Sequence, residues 1–394
     1  MPPGIDQDAL HHPAESSVPG PLSARERGMP DIDKYLIAIQ KNDGSDLHIS
    51  TGSPPILRVH GTMSPLKATP FEADKVSALL DPIMTENARR DFAETGDADW
   101  AYELDGVARF RCNAFRDRRG PGAVFRIIPN DFMTAEELEL PEAILKLCAL
   151  PKGLVLVTGP TGSGKSTTLT AMIDYINQRR TDHVITIEDP IEFVHENKKC
   201  LINQREVHTH TESFSRALRA ALREDPDIVL VGEMRDLETT HIAIETAETG
   251  HLVFGTLHTT TAASTVDRII DQFPADRQAQ IRTMLASSLK GIVAQTLCKR
   301  IPRGRIASLE VLIVNNAISN QIREGKTFQI ESGMQVGRKE GNLLMNDALV
   351  QHVIDGNITA EEALRRSLQR ADLLDKLTAK GIEHSAPEDP AAKS

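Results

Sequence analysis

The chain has 394 residues, of which 40% are hydrophobic and 26% are charged, and this composition fits one large globular domain or two smaller ones. Its formal net charge of −11 argues against a nucleic-acid-binding surface, and no apolar run is long enough to insert into a membrane. The four cysteines are widely spaced and form no CxxC pair, which favours reduced cytosolic thiols over disulfides or a zinc site. We therefore expect a cytoplasmic protein that binds no nucleic acid and does not insert directly into a membrane.

Two terminal segments differ in composition from the rest of the chain. Residues 1–29 are rich in Pro, Ser and Gly and have no hydrophobic periodicity, so we expect a disordered N-terminal extension. Residues 383–394 have the same character, and we expect a disordered tail there.

Residues 30–130 show the alternation of apolar and polar residues that is typical of strands. The segments at 56–61, 107–115 and 122–129 predict strands of a small α+β domain. The segment at 131–150, "DFMTAEELELPEAILKLCAL", predicts a short linker helix before the next domain.

Arginines are frequent on the strands of this small domain. Arg109 and Arg111 share one face of the second strand, and Arg126 lies on the third. A ring NTPase commonly completes its active site with an arginine from a neighbouring subunit. For most of these arginines, a solvated charged face is the alternative interpretation.

Residues 151–382 have a different pattern, in which short apolar runs alternate with helical stretches. The apolar runs include "GLVLVTG", "HVITIEDP", "DIVLVGE" and "HLVFGTLHT". Strands that alternate with helices predict an α/β domain whose parallel sheet is covered on both faces.

A phosphate-binding motif opens this second domain. The sequence "GPTGSGKST" at 159–167 matches G-x-x-x-x-G-K-[ST] and lies between a predicted strand and a predicted helix. Its glycines let backbone N–H groups turn toward phosphate oxygens, and the helix N-terminus adds partial positive charge. We expect Lys165 to contact the β- and γ-phosphates of ATP and the Ser166 hydroxyl to bind Mg²⁺. The residues expected to bind the nucleotide are Thr161, Gly162, Ser163, Gly164, Lys165, Ser166 and Thr167.

Acidic residues follow two of the later strands. In "DPDIVLVGE", Gly232 occupies the place where a P-loop enzyme usually has its Mg²⁺-binding Asp, and Glu233 comes next. Because ligands bind at the C-terminal ends of parallel strands, we expect Glu233 to orient or deprotonate the attacking water. A surface glutamate in a turn is the alternative. Glu188, in "TIEDPIE", is the candidate to replace the missing Asp as a metal ligand.

Two histidines flank the strand in "GHLVFGTLHTT". Full extension places His251 and His258 roughly 20 Å apart, so both can contact one phosphate only if the chain bends, for instance near Gly255. We expect His258, at the C-terminal end, to donate to the γ-phosphate and sense its presence. His251 is the second candidate, and a structural histidine is the alternative for each.

The motifs together resemble one family. "GPTGSGKST", "TIEDPIEFVHENKKCLINQREV", "ALREDPDIVLVGEMRDLETT" and "TGHLVFGTLHTTTAASTVDRIIDQFP" are similar to the Walker A, Asp box, atypical Walker B and His box of the type II/IV secretion ATPases. They look closest to the PilT-like members, which retract type IV pili in twitching motility. That family's Walker B also has Gly before Glu. The resemblance covers about residues 30–382 and implies a RecA-like P-loop NTPase domain preceded by a smaller PAS-like α+β domain.

The resemblance also implies an assembly and its partners. It implies a cytoplasmic homohexamer that binds ATP and Mg²⁺ between the N-terminal domain of one subunit and the RecA-like domain of the next. Family arginines fall on "RFR" and "VFR", which selects Arg111 and Arg126 as nucleotide-contacting residues. It implies docking on the inner-membrane platform protein of the pilus machine, where ATP turnover withdraws pilin subunits.

One departure keeps alternatives open. The retraction family usually has a motif close to AIRNLIRE, whereas residues 317–324 read "AISNQIRE", with Ser319 and Gln321 at changed positions. An accessory pilus or secretion ATPase that works beside a paralogous pilus ATPase is therefore an alternative. The four-cysteine zinc site of the extension ATPases is absent from the sequence, which favours retraction.

Two alternatives come from other classes of protein. The first is a RecA-like nucleic-acid motor, and the acidic charge and few aromatic residues count against it. The second is a nucleotide-gated adaptor without hydrolysis, and the combination of Lys165, Glu188 and Glu233 counts against it.

Overall fold

The computed structural model describes residues 30–59, 61–128 and 132–382. The predicted disorder at 1–29 and 383–394 therefore lies outside the described residues. The described chain forms two compact units, which divide after Ile128.

The first unit is built on a six-stranded antiparallel sheet in the order β3-β2-β1-β6-β5-β4. Its strands are β1 (Gly44–Ser50), β2 (Ile56–Val59), β3 (Thr62–Pro65), β4 (Asp97–Leu104), β5 (Ala108–Asp117) and β6 (Gly120–Ile128). Its helices are α1 (Asp33–Lys41), α2 (Ala73–Leu80) and α3 (Glu86–Thr95).

Apolar and polar residues alternate along these strands, so they lie on opposite faces of the sheet. Leu47, Phe110 and Phe125 are fully buried and form a core with the three helices. Arg111 and Arg126 are exposed on the opposite face, because neighbouring residues on a strand point in opposite directions. This arrangement is the α+β architecture expected for the segment.

The second unit is built on a seven-stranded sheet in the order β13-β12-β7-β11-β10-β8-β9. Its strands are β7 (Gly153–Thr158), β8 (His183–Glu188), β9 (Leu201–Glu206), β10 (Ile228–Val231), β11 (Leu252–Leu257), β12 (Leu289–Lys299) and β13 (Arg305–Ile313). Its helices are α4 (Glu142–Cys148), α5 (Lys165–Arg179), α6 (Phe214–Ala221), α7 (Leu237–Thr249), α8 (Ala262–Asp271), α9 (Ala275–Ser288), α10 (Asn316–Arg323), α11 (Ile330–Val336), α12 (Met345–Ile354), α13 (Ala360–Arg366) and α14 (Arg370–Ala379). Two short 3-10 helices, Thr327–Gln329 and Gly337–Glu340, flank α11.

Helices cover both faces of this sheet. Leu154 and Leu156 of β7 pack into a core with α6, α7, α8 and α9. Val155 and Val157 of the same strand pack into a second core with α4 and α5. A strand buried on both faces has an unbroken apolar sequence, which is why β7 was recognisable as a parallel strand.

The sheet differs from the expected all-parallel arrangement at one edge. Strand β13 runs antiparallel to β12, whereas the other neighbouring pairs are parallel. The cause is the short connection at 300–304, because a few residues can join antiparallel strands but not parallel ones.

The expected linker helix and the C-terminal helices both belong to the second unit. Ile144 and Leu147 of α4 are buried in the core that contains Val155. Helices α12, α13 and α14 form a smaller core around Leu349 and Leu373 together with Cys298 of β12. Within the described residues, none of the helices has the combined length and apolarity needed to cross a membrane.

Candidate functional site

Four loops meet at one edge of the second unit's sheet. Strands β7, β11, β10 and β8 are consecutive neighbours and run parallel, so their C-terminal ends lie side by side. The phosphate-binding motif follows β7, His258 follows β11, Glu233 follows β10, and Glu188 ends β8. The fold therefore brings four predicted site segments to the edge where α/β sheets bind ligands.

The phosphate-binding loop ends at the N-terminus of α5, which begins at Lys165. Gly159 and Gly164 have φ values of +145° and +89°, a region that residues with a Cβ rarely adopt. Lys165 Nζ donates to the carbonyl oxygens of Gly159, at 2.8 Å, and Pro160, at 3.3 Å. Burial lowers the pKa of Lys165. The amine is thus folded onto its own loop, at the place where phosphates would compete for it.

The remaining loop residues differ in exposure. Ser163 is buried, and Ser166 and Thr167 are half-buried in the first turn of α5. Thr161 and Gly162 are exposed at the tip of the loop.

Glu233 is held by two neighbours. Its side chain is 16% exposed, and Oε1 lies 2.5 Å from both Arg235 Nε and His258 Nε2. Burial raises the pKa of Glu233, but the hydrogen bonds from Arg235 and His258 outweigh burial, and the net shift is downward. The carboxylate is therefore ionised at neutral pH, as a general base requires.

His258 connects this carboxylate to the phosphate-binding loop. Its Nδ1 lies 3.4 Å from Lys165 Nζ, and its Nε2 contacts Glu233. An ammonium only donates hydrogen bonds and a carboxylate only accepts them, so the contacts fit the tautomer with its proton on Nε2. The structure thus places His258 beside Lys165, and the expected contact of His258 with the γ-phosphate stays a prediction.

A cavity of about 420 Å³ adjoins the same residues. Glu233, Arg235 and His258 line it together with Arg268 and Gln272. Four of these lining residues, all except Glu233, carry side chains that can donate hydrogen bonds to an anion or to water.

Comparison with known proteins identifies the family. The model of the family described as type II/IV secretion system protein matches residues 29–365. The chain belongs to this family.

Its relatives include pilus proteins. The chain is 53% identical over 337 residues to the type IV pilus retraction ATPase PilT of Pseudomonas aeruginosa, covering 86% of this chain and 98% of the relative. It is 51% identical over 319 residues to the twitching motility protein of Neisseria gonorrhoeae, covering 81% and 85% of the two chains. A crystal structure of the pilus retraction motor PilT with bound ADP superimposes with a TM-score of 0.82 at 45% identity, covering 87% of this chain and 98% of the other.

The glycine of this secretion ATPase's Walker B strand has a structural cause. The Gly232 N–H donates to Ile187 O at 2.7 Å, and a Cβ on Gly232 would lie 2.9 Å from that oxygen and 3.2 Å from the Glu188 Cα. The backbones of β10 and β8 are too close for a side chain at this position. An aspartate could not stand there without moving the strands apart.

Gly255 does not bend the chain between the two histidines. It is paired on both sides within β11, opposite Val231 and Leu156. The Met234 sulfur occupies the space that a Gly255 side chain would need. The suggestion of a bend is therefore wrong, and Gly255 makes room for the residue that follows Glu233.

His251 lies at the opposite end of β11 from His258. Its Nδ1 contacts Thr246 O at 3.2 Å, and its own carbonyl accepts from the Gly153 N–H at the start of β7. The structure therefore does not bring His251 to the cluster of Lys165, His258 and Glu233.

Glu188 has hydrogen-bond partners from β8 and β9. Its Oε1 accepts from Thr186 Oγ1 at 2.6 Å and from Gln204 Nε2 at 3.1 Å. Burial raises the pKa of this carboxyl group, with the hydrogen bonds acting in the opposite direction. A carboxylate and the Ser166 hydroxyl are oxygen ligands of the kind that Mg²⁺ prefers. The donor chemistry thus fits Mg²⁺, although no three His, Cys, Asp or Glu side chains cluster as a metal site in the described part of the chain.

The two selected arginines lie in the first unit, directly opposite each other on β5 and β6. Arg126 Nε donates to Asp46 Oδ1 at 2.8 Å, and Asp46 is buried. Arg111 is exposed. Arg126 is therefore partly engaged within its own unit.

Arg235 and Asp46 were not among the residues predicted from the sequence. Arg235 stands two residues after Glu233, and a basic residue so close to a predicted catalytic carboxylate was a usable signal. Asp46 gave no such signal, because it is 80 residues from Arg126 and only the pairing of β1 with β6 brings them together.

Proposed function

We propose that the protein is an ATP-hydrolysing motor that retracts type IV pili and thereby supports twitching motility. The observation that carries the proposal is the junction of Lys165, His258 and Glu233 at one edge of the sheet. It occurs in a chain that is 53% identical to a pilus retraction ATPase along nearly the whole of that relative.

Nucleotide binding begins at the phosphate-binding loop. ATP phosphates accept from the backbone N–H groups of residues 161–167 and from Lys165, which leaves the carbonyls of Gly159 and Pro160. Ser166 and Glu188 would hold Mg²⁺, which neutralises charge on the β- and γ-phosphates when it is bound.

Hydrolysis uses the pair formed by Glu233 and His258. Glu233 orients the attacking water and accepts its proton, because its carboxylate is ionised and half-enclosed. His258 stands between this carboxylate and Lys165, so a γ-phosphate that displaces Lys165 changes the contacts of His258 as well. The histidine therefore reports the presence of the phosphate to the base.

The assembly that we propose is a cytoplasmic homohexamer docked on the inner-membrane platform protein of the pilus machine. Its first unit is PAS-like and presents Arg111 and Arg126 to the nucleotide of a neighbouring subunit. Arg111 is the better candidate, because Arg126 is bonded to Asp46.

The departures in "AISNQIRE" affect inner contacts of α10. Ser319 Oγ donates to Ala286 O of α9, and Gln321 is half-buried beside Gly333 of α11. Arg323 and Glu324, which match the retraction motif, are exposed. The altered positions thus change how the helix packs and leave its exposed end intact, which favours the motor over an accessory role.

The test is pilus behaviour in a strain that lacks this gene. We expect this strain to have excess surface pili that do not retract and to lose twitching motility. The wild-type gene should correct both defects, whereas the Glu233→Gln and Lys165→Ala genes should correct neither. Normal retraction in the deletion strain would overturn the proposal and would support the accessory or secretion ATPase.

A further inference from the structure

A buried amide lies beside the phosphate-binding loop and has no role in the site described so far. Gln295 is on β12 and is 2% exposed. Strand β12 pairs with β7 in parallel, with Ala294 opposite Thr158. Gln295 therefore stands next to Gly159, the first residue of the loop.

The side chain of Gln295 is bonded to the middle of the loop. Its Nε2 donates to the Ser163 carbonyl oxygen at 2.7 Å. Because a carbonyl oxygen only accepts, this contact fixes which end of the amide faces the loop. Within the described residues, Gln295 Oε1 and Ser163 Oγ are both buried without a hydrogen-bond partner.

The same residue also contacts the two ends of the loop. A Cβ on Gly159 would collide with the main-chain oxygen of Gln295, and it would lie 2.5 Å from Ser163 Oγ. A Cβ on Gly164 would lie 3.2 Å from Gln295 Nε2. Gln295 thus packs where the loop leaves β7 and where it enters α5.

The hydrogen bond has a geometric consequence for phosphate binding. A trans peptide points its C=O and its N–H in opposite directions. Anchoring the Ser163 carbonyl on β12 therefore turns the N–H of Gly164 away from β12. The backbone N–H groups of such a loop are the donors that bind phosphate oxygens.

We propose that Gln295 is a positioning residue that holds the phosphate-binding loop in its phosphate-accepting conformation. The inference rests on the proposed nucleotide binding and adds to it a residue from a strand outside the four recognised motifs. Because the contact is made to the part of the loop that binds the α- and β-phosphates, ADP and ATP depend on Gln295 equally.

A purely structural role for this amide makes a different prediction. If the amide only stabilised the fold, Gln295→Leu would leave the Ser163 carbonyl unpaired and lower the thermal stability, while nucleotide affinity would stay unchanged. The two roles are therefore separated by nucleotide affinity and not by thermal stability.

The experiment compares full-length wild type with Gln295→Leu and Gln295→Asn, the second of which keeps an amide that is too short to reach Ser163. The equilibrium dissociation constants of ADP and of ATP are measured on folded protein, together with thermal stability. The matched control is Asn346→Ala, because Asn346 is also a buried amide and donates to Gln369 O in the C-terminal helices.

We expect the dissociation constants of both nucleotides to rise about tenfold in each Gln295 variant, as loss of one well-placed hydrogen bond allows. The control should lose thermal stability without losing affinity. If the Leu variant does not fold, the Asn variant decides. Affinities within twofold of wild type would overturn the inference, whatever the melting temperature. Failure of the wild type to bind either nucleotide would instead overturn the proposed function.

Discussion

At the scale of single residues, the two carboxylate oxygens of Glu233 differ in their hydrogen-bond partners. Arg235 and His258 both contact Oε1. In the proposed mechanism, Oε2 is therefore the oxygen that takes a proton from water. Arg235 is mainly exposed, so it can leave the carboxylate at small cost when a nucleotide changes the site.

The first prediction concerns the pH dependence of the reaction. Arg235 helps to hold the pKa of Glu233 below its ordinary value of 4.5, so the base stays ionised as the pH falls toward that value. Arg235→Gln removes this effect, and the pKa of Glu233 then rises. We expect the acid limb of kcat/KM to move to higher pH, with little change at pH 8.

The measurement is kcat/KM on folded protein from about pH 3.5 to pH 8, because the wild-type pKa of Glu233 lies below 4.5. Arg268→Gln is the control, because Arg268 lines the same cavity and the ion pair of Glu233 is made with Arg235. An acid limb that stays in place in Arg235→Gln would show that the ion pair does not set the pKa of the base.

At the scale of elements, the spacing of β8 and β10 determines the Walker B sequence. Gly232 is required because its N–H bonds to Ile187 O, and an added Cβ would lie only 2.9 Å from that oxygen and 3.2 Å from Glu188 Cα. The close approach at Gly232 thus fixes the positions of Glu188 and Glu233 relative to each other.

The second prediction is the effect of Gly232→Ala. The added methyl must push β10 from β8, which costs about 1–3 kcal/mol. For a unit of this size we expect the melting temperature to fall by roughly 2–4 °C per kcal/mol, and ATP turnover to fall because Glu233 and Glu188 move.

The control is Gly333→Ala in α11, where the atoms nearest to an added Cβ belong to the side chains of Gln321 and Ile318, at 3.3 Å, and not to backbone. Alanine favours helix over glycine, so this variant should keep its stability and its turnover. Equal stability in the two variants would contradict the close approach of β8 and β10.

Sequence analysis predicted some strands of the second unit and missed others for a physical reason. The strands β7, β10 and β11 are buried on both faces, and their unbroken apolar runs were readable. The edge strand β9, with sequence LINQRE, is half polar and had no such pattern. The antiparallel direction of β13 follows from the short connection at 300–304. That connection could be recognised as short only when both β12 and β13 were known to be strands.

The candidate site residues that belong to a recognisable sequence motif could be predicted. Lys165, Glu233 and His258 follow predicted strands, and the parallel order of those strands brings their ends together. Contacts between distant segments were not predictable, because the register of β12 against β7 and of β1 against β6 fixes them. The bonds of Gln295 to Ser163 and of Asp46 to Arg126 are of this kind.

At the scale of the whole molecule, the proposed motor requires that an arginine from one subunit contact the nucleotide of the next. Arg111 and Arg126 are neighbours on the exposed face of the first unit's sheet, and Asp46 neutralises only one of them. Such an arginine is worth on the order of 10³–10⁵ in rate where it contacts the transferred phosphoryl group.

The third prediction is recovery of activity on mixing two inactive variants. Arg111→Ala subunits keep Lys165, and Lys165→Ala subunits keep Arg111, so some mixed interfaces contain a complete site. We expect ATPase activity that neither variant has alone, up to roughly a quarter of the wild-type rate with random mixing in a closed ring.

A control for the mixing experiment pairs Lys165→Ala with Glu233→Gln. Both residues lie in the same unit of one chain, so no interface between these variants contains a complete site. Recovery in this pair, or none in the first, would contradict an arginine supplied across the interface.

The decisive experiment compares ATP binding and turnover by purified Glu233→Gln with those of the wild type. The substitution keeps the size of the side chain and removes the base. The account predicts wild-type affinity for ATP and a turnover at least about 10²-fold lower. Turnover at the wild-type rate would show that Glu233 does not activate the water, and the mechanism would then need another base.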